Sequence, residues 1–301
     1  MKTIQNAIDW AYEKFEAADL FYGHGSDNPW DEAVYLVMHI AGQPLDAGEE
    51  VLPLELNLEQ TDQIKNWVET RIKNKIPLAY LMHRAFFAGL EFYVDERVII
   101  PRSPIAELIE TSFEPYLEIT EVDHVLDLCC GSGCIGLAMA MYFDFIKVDL
   151  VDLSFEALEV AKINKSMYEF IYKLEDRVAI IQSDLFGNLK NLNNLNNKKY
   201  DLILCNPPYV DQKDFNDMPK EFSHEPEMAL ISGQDGLDLT RRILSEAANY
   251  LTDHGILILE VGNSAIALEA AYPHLDFLWL EFEKGGVGVC LLTKEQISAL
   301  T

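Results

Sequence analysis

A glycine-rich segment, Gly131-Ser132-Gly133-Cys134-Ile135-Gly136, follows an apolar run ending at Cys130 and opens a helical pattern that begins at Cys134. A G-x-G-x-x-G in that position requires a strand to turn sharply into a helix, with backbone bare enough for close approach. Beyond about Ile105 the chain keeps this alternation. Strand patterns at His124 to Cys130, Ile146 to Val151, Val178 to Gln182, Tyr200 to Cys205 and Gly255 to Val261 are separated by helical stretches, including Phe155 to Met167 and Gly236 to Leu251. Strands spaced by helices predict an α/β fold with a mostly parallel, doubly wound, Rossmann-like sheet. Phe277 to Phe282 and Val287 to Leu292 are separated by a few residues that include Gly285-Gly286, which predicts an antiparallel C-terminal hairpin.

The first 83 residues carry a different period. Ile4, Ile8, Tyr12 and Phe15 recur at helical spacing, as do Ala33, Leu36, Val37 and Ile40, and then Ile64, Trp67, Val68 and Ile72. Three or four short helices in a small bundle are expected, with Thr61 capping the third. From Arg84 the period changes. Phe86 to Val94 and Arg97 to Ile100 are rich in aromatic and β-branched residues, and Asp95-Glu96 between them predicts a β-hairpin turn. Pro101 and Pro104 stiffen the exit. The expected organisation is therefore a helical domain (1–83), a hairpin linker (84–104) and an α/β domain (105–301). The Asn-rich stretch at 188–197 reads as a polar loop without an assigned function.

Bulk chemistry narrows the partners. Twenty-three basic residues against 50 acidic ones leave a net charge of −27. Such a chain repels phosphate backbones unless it hides a basic groove, and no basic run exceeds two residues, so nucleic acid is disfavoured. A basic protein partner would be drawn in by the same field, although acidity also serves solubility alone. No window offers about 18 unbroken apolar residues, and the N-terminus lacks a basic start with an apolar run, so no membrane span is expected and a cytoplasmic location is. Five cysteines, an odd count without a C-x-x-C pair, predict buried packing residues rather than zinc ligands or disulfides.

Parallel sheets bind ligands at the carboxyl ends of their strands. Three acids are expected there: Asp127, Asp152 and Asp184. Asp152 follows Gly133 by 19 residues, a spacing suited to a carboxylate that accepts from ribose hydroxyls. Alone, this pattern admits a nicotinamide dinucleotide or S-adenosylmethionine. A dinucleotide sets its pyrophosphate on the helix N-terminus. S-adenosylmethionine instead carries a sulfonium and an amino group, which Asp127 suits better. Gly131 and Gly133 would let the backbone approach, Asp152 would hold ribose, and Asp184 would accept from an adenine amino group.

The sharpest signal is Asn206-Pro207-Pro208-Tyr209, directly after the apolar run Leu202 to Cys205. Two prolines remove two backbone donors and leave their carbonyls as acceptors. Asn206 adds a carboxamide oxygen and Tyr209 an aromatic face. Together they can accept both N–H bonds of a planar NH₂ group and cover one side of it. An amide nitrogen is a poor nucleophile because its lone pair is delocalised. Accepting from both of its hydrogens returns density to nitrogen and fixes its direction of attack.

With these residues in hand, the chain resembles the class I methyltransferases that modify planar NH₂ groups. Among them it resembles the protein-glutamine methyltransferases that act on release factors and on a ribosomal protein. The likeness runs over essentially the whole length. Ile100-Pro101-Arg102-Ser103-Pro104-Ile105, Ser223-His224-Glu225-Pro226-Glu227, Glu260-Val261-Gly262-Asn263-Ser264 and Trp279-Leu280-Glu281-Phe282 are similar to the ribosomal-protein branch. The resemblance implies methyl transfer from S-adenosylmethionine to a glutamine side chain in a basic large-subunit ribosomal protein. Cys129-Cys130 stands where relatives often have Thr or Gly, and Val287 replaces an acidic residue in the C-terminal Gly-rich turn.

Secondary candidates are His224, Glu225 and Glu227, which would either line an acceptor channel or form a solvated loop around Pro226. Arg102 would contact the cofactor carboxylate, the substrate loop or solvent. Glu260 would support the site from behind, and Trp67 would pack in the helical core. Competing readings are a release-factor enzyme, an adenine amino-group methyltransferase acting on nucleic acid, a nicotinamide oxidoreductase and a non-catalytic binding module. The tetrapeptide is left unexplained by the oxidoreductase, and the surface charge opposes the nucleic-acid enzyme.

Overall fold

A computed structural model of the chain describes residues 1–189 and 198–300. Of the Asn-rich stretch, residues 190–197 lie outside the described residues.

The N-terminal region folds into α1 (Ile4–Glu16), α2 (Pro29–Ala41), α3 (Leu58–Asn74) and α4 (Leu78–Met82). Ile4, Ile8, Phe15, Leu36, Val37, Ile64 and Val68 meet in one buried cluster, with Trp67 packed against it. The cap of α3 differs from expectation. Asn57 accepts from the Gln60 amide and Gln60 accepts from the Asn57 amide, so the helix starts one turn earlier. Thr61 lies inside it and returns its hydroxyl to the Asn57 carbonyl at 2.9 Å. A reciprocal cap satisfies two orphan amides where threonine alone would satisfy one.

The hairpin also forms earlier than its composition suggests. Strand β1 (Ala85–Phe87) pairs with β2 (Leu90–Phe92) across a two-residue turn at Ala88-Gly89, φ 47° and 68°. That left-handed pair matches the strand twist, and Gly89 adopts it freely. Asp95 and Glu96 turn the chain again, but Arg97 to Ile100 pair with no strand among the described residues. Val94, Val98 and Ile100 instead bury against Ala79, Tyr80, Ala157 and Val160. The Tyr80 hydroxyl donates to the Val98 carbonyl at 2.6 Å. The segment is thus a strap fastened across the α/β domain.

That domain contains α5 (Ile105–Glu110), β3 (His124–Leu128), α6 (Cys134–Tyr142), β4 (Lys147–Asp152), α7 (Phe155–Tyr172), β5 (Val178–Gln182), β6 (Tyr200–Cys205), α8 (Gln212–Asp217), α9 (Asp238–Glu246), β7 (Leu251–Glu260), α10 (Ala265–Ala271), β8 (Leu278–Trp279), β9 (Val289–Thr293) and α11 (Lys294–Ser298). The seven strands order as β5-β4-β3-β6-β7-β9-β8. Strands β3 to β7 run parallel, and β9 is antiparallel to both β7 and β8. Strand β3 is followed on one side by β4 and β5 and the chain then returns to β6 on the other. The order therefore reverses between β3 and β6, where a crevice opens at the strand ends. Apolar residues cover both faces of the sheet, with α6 on one and α9 on the other. No helix among the described residues is long and apolar enough to cross a membrane.

Candidate functional site

Two loops leave the switch point. The first is the Gly131–Gly136 turn after β3. Gly136 sits where an added Cβ would lie 2.3 Å from Leu150 and 2.9 Å from the Asp127 side chain, so no other residue lets α6 press this close to β3 and β4. Gly131 faces open space, its Cβ position meeting nothing within 4 Å. Its amide donates to Asp152 Oδ2 at 2.8 Å, and the Ser154 amide donates to Asp152 Oδ1 at 2.9 Å. The acid that ends β4 is thereby held by two backbone donors, with lone pairs left for a hydroxyl.

Around this turn lies a cavity of about 330 Å³ lined by Leu128, Cys129, Gly131, Val151, Asp152, Asp184, Asn206 and Pro208, among others. Apolar walls with a few convergent acceptors suit a nucleoside-like ligand. Asp184 is exposed, with one oxygen taking a bond from Arg242 at 2.8 Å. Arg97 of the strap reaches the same cavity. It is clamped by Asp95 through contacts of 2.6 and 2.8 Å.

Asp127 and Gly133 do not reach the cavity surface. Asp127, expected to suit a cation, lies behind the turn. It is the penultimate residue of β3 and points beneath the first turn of α6, where its Oδ2 accepts the Gly136 amide at 2.8 Å. Its Oδ1 is buried without a partner among the described residues, and burial raises its pKa to about 7. A single backbone donor does not offset the desolvation of a fully enclosed carboxylate. An Ala added at Gly133 would crowd Leu150 and Ala161 at 3.1 and 3.2 Å, so this glycine serves packing between the sheet and α7. Cys129 lines the cavity at φ 63°, whereas Cys130, Cys134, Cys205 and Cys290 are buried as expected.

The second loop is Asn206 to Tyr209 after β6. It borders another cavity, of about 310 Å³, which includes Asn206, Pro207, Tyr209, Phe222, Leu230, Glu260 and Val287 in its walls. Ile99, Asn206 and Ala229 line both cavities and form the partition between them. The Asn206 carboxamide makes no hydrogen bond to any described residue, and no described backbone amide donates to the Pro207 carbonyl. Pro207 and Pro208 are buried and rigid. Tyr209 is locked from three sides. Its hydroxyl donates to Glu260 Oε1 at 3.1 Å, its carbonyl accepts from Ser264 Oγ at 2.8 Å, and its ring lies where a Cβ on Gly262 would intrude to 2.5 Å. Glu260 Oε2 also accepts from Ser103 Oγ at 2.5 Å, and burial raises its pKa against these two hydrogen bonds.

Arg102 lines the second cavity and pairs with Glu225 through both nitrogens, at 2.6 and 2.8 Å. Glu225 also accepts the Ile100 amide at 2.9 Å, which ties the strap to the loop after α8. Glu225 is therefore a buried anchor. His224 turns away to the Asn74 carbonyl at 2.9 Å, and neither it nor Glu227 lines either of these two cavities. Sequence reasoning missed Phe222, Asp214 and Ile99 as cavity residues. None belongs to a motif, and only the packing of the strap, which carries Ile99, against the loop after β6 brings them together.

A parallel sheet with its switch-point cavity joined at an asparagine to a second, acceptor-sized cavity defines a class I methyltransferase. The family model described as a methyltransferase small domain matches residues 114–234. A ribosomal protein uL3 glutamine methyltransferase from Francisella tularensis subsp. tularensis is 45% identical over 298 residues, covering 99% of this chain and 92% of its own. The protein of the same name from Neisseria gonorrhoeae is 45% identical, covering 99% of this chain and 96% of its own. Among solved structures, a methyltransferase from Pyrococcus furiosus aligns with a TM-score of 0.45 at 16% identity, covering 68% of this chain and 89% of that one. The chain belongs to the family of the ribosomal protein uL3 glutamine methyltransferases.

Proposed function

We propose that the protein transfers the methyl group of S-adenosylmethionine to the side-chain amide nitrogen of a glutamine in ribosomal protein uL3. The observation that carries this reading is Asn206, whose unpaired carboxamide stands in the partition between the two cavities. A nitrogen held there is exposed to a donor on one side while its own chain lies on the other. The names of the 45%-identical relatives supply the substrate.

In this reading Asp152, the open face at Gly131, and Asp184 hold the ribose and adenine, while Asp127 and Gly133 shape the turn from behind. The bound cofactor supplies an electrophilic methyl group on a sulfonium. Asn206 and the Pro207 carbonyl accept the two N–H bonds of the glutamine amide, which orients its lone pair along the line of transfer. Pro208 keeps the loop rigid, and Tyr209 packs the amide plane, its ring fixed by Glu260 and Gly262. A bound cofactor would supply the methyl group and be left as a neutral thioether, and the amide nitrogen would pass one of its protons to water. Residues 1–83 recognise the substrate, 84–104 link, and 105–301 catalyse. The enzyme works in the cytoplasm on a free, basic ribosomal protein rather than on nucleic acid or at a membrane.

The test is to incubate the protein with radiolabelled S-adenosylmethionine and, separately, uL3, a release factor and ribosomal RNA. Label on uL3 that maps to a glutamine supports the reading. Label only on the release factor or RNA, or on none of the three, overturns it.

A further inference from the structure

The helical region packs against the loop that walls the acceptor cavity, and an arginine with no role in the proposed chemistry stands in that contact. Arg71, on α3, is 1% exposed. Its Nε donates to Glu32 at 2.5 Å, its Nη1 to Glu221 at 3.1 Å, and its Nη2 to the Phe21 carbonyl at 2.8 Å. Glu221 also accepts the Phe21 amide at 3.0 Å. Burial alone would lower the Arg71 pKa, but the two carboxylates more than offset it, so the cation is retained. A buried array of one cation and two carboxylates adds little net stability, because desolvation consumes most of the Coulombic gain. Its geometry is another matter, since a planar guanidinium binds three acceptors in fixed directions.

The element fixed is the short helical turn Lys220–His224. Phe222, one residue after Glu221, lines the acceptor cavity, where it and Tyr209 are the only aromatic rings among the described residues. The Phe222 ring is held by Phe21 at 5.4 Å, by His24 at 4.5 Å and by the Arg102 guanidinium at 5.3 Å. A glutamine whose carboxamide lies at Asn206 must thread two methylenes through this cavity. Their natural contact is an apolar wall opposite the polar loop.

We propose that Phe222 is the wall against which the aliphatic stem of the accepted side chain packs, and that Arg71 is the positioning residue that holds it there. This rests on the function proposed above. The helical region then acts on the acceptor side chain itself as well as on any outer surface of the substrate.

The experiment is steady-state methylation of purified uL3. Phe222→Ala raises the KM for uL3 about tenfold while kcat falls less than about threefold, because a contact made equally in ground and transition states is lost. The Kd for S-adenosylmethionine stays at its wild-type value, and Phe222→Leu recovers most of the KM. Arg71→Met raises KM in the same direction, yet the double variant is no worse than Phe222→Ala alone. Glu221→Gln replaces Arg71→Met in this cycle if the latter does not fold. A wild-type KM in Phe222→Ala, or multiplicative effects in the double variant, overturns the proposal. Failure of the wild-type protein to methylate uL3 would overturn the functional reading instead, and this inference with it.

Discussion

Asn206 and His24 show how far a single side chain carries consequences. In the function proposed above, Asn206→Ala removes an acceptor for the reacting nitrogen but no wall of the first cavity beyond one carboxamide. Its kcat should fall by about a hundredfold or more, while the Kd for S-adenosylmethionine by calorimetry changes less than about threefold. A parallel loss of cofactor affinity would show that Asn206 serves binding instead. His24 is buried with neither ring nitrogen hydrogen-bonded among the described residues, and burial lowers its pKa to about 4 despite Glu225 3.8 Å away. The folded state thus refuses a proton that the unfolded chain accepts near 6.5, so stability present above that value is lost as pH falls toward 4. His24→Phe keeps an aromatic ring beside Phe21 and Phe222. Between about pH 7.5 and about pH 5 the variant should lose roughly 2 kcal/mol less stability than the wild type, measured by urea unfolding. Equal losses would place His24 in water. Asn206 is legible in the sequence because prolines and a strand end mark its loop. His24 is not, because nothing in its neighbours Gly23 and Gly25 announces burial under a residue 200 positions downstream.

Among elements, the strand-to-helix turn was the most legible and the strap the least. The turn depends on glycine for a reason the motif alone leaves open: Gly136 is where α6 touches β3 and β4. Gly136→Ala should destabilise the protein by about 2–3 kcal/mol through overpacking against Leu150 and Val148. Denaturant unfolding checks this, and a change below about 0.5 kcal/mol would mean that α6 can slide outward without cost. The parallel strands were readable from apolar runs because both faces of the sheet are covered. Residues 93–100 carry the same β-branched, aromatic composition, yet their partners are side chains of α4, α7 and the loop after α8. Composition reports burial well and hydrogen-bond partners badly. At a strand end such as Asp127 the sequence pattern leaves the facing of a side chain open. A one-residue step decides whether a side chain faces the crevice or the helix behind it.

The whole molecule adds the charge. At −27 it carries a field that no single contact explains. If that field gathers a basic substrate, the association rate with uL3, followed by stopped-flow, should fall about tenfold or more between low and physiological salt. A salt-independent rate would leave the acidity to solubility alone. The passage of the molecule from its N-terminal helices to β1 is visible in the change of hydrophobic period at residue 84. The contact between its parts is not, since Arg71 and Glu221 lie 150 residues apart and each looks like an ordinary surface charge in its own helical pattern. The partition at Ile99, Asn206 and Ala229 has a further consequence, for inhibitor chemistry. Because the two cavities meet at one side chain, a single small molecule can occupy both. An adenosyl group joined through a short saturated bridge to a primary carboxamide would take both sites in one binding event. The second contact would then be intramolecular, with an effective concentration set by the bridge, and an affinity well above that of either half. Such a compound would be selective among enzymes sharing the cofactor, because only those with an amide-accepting second cavity could hold its far end.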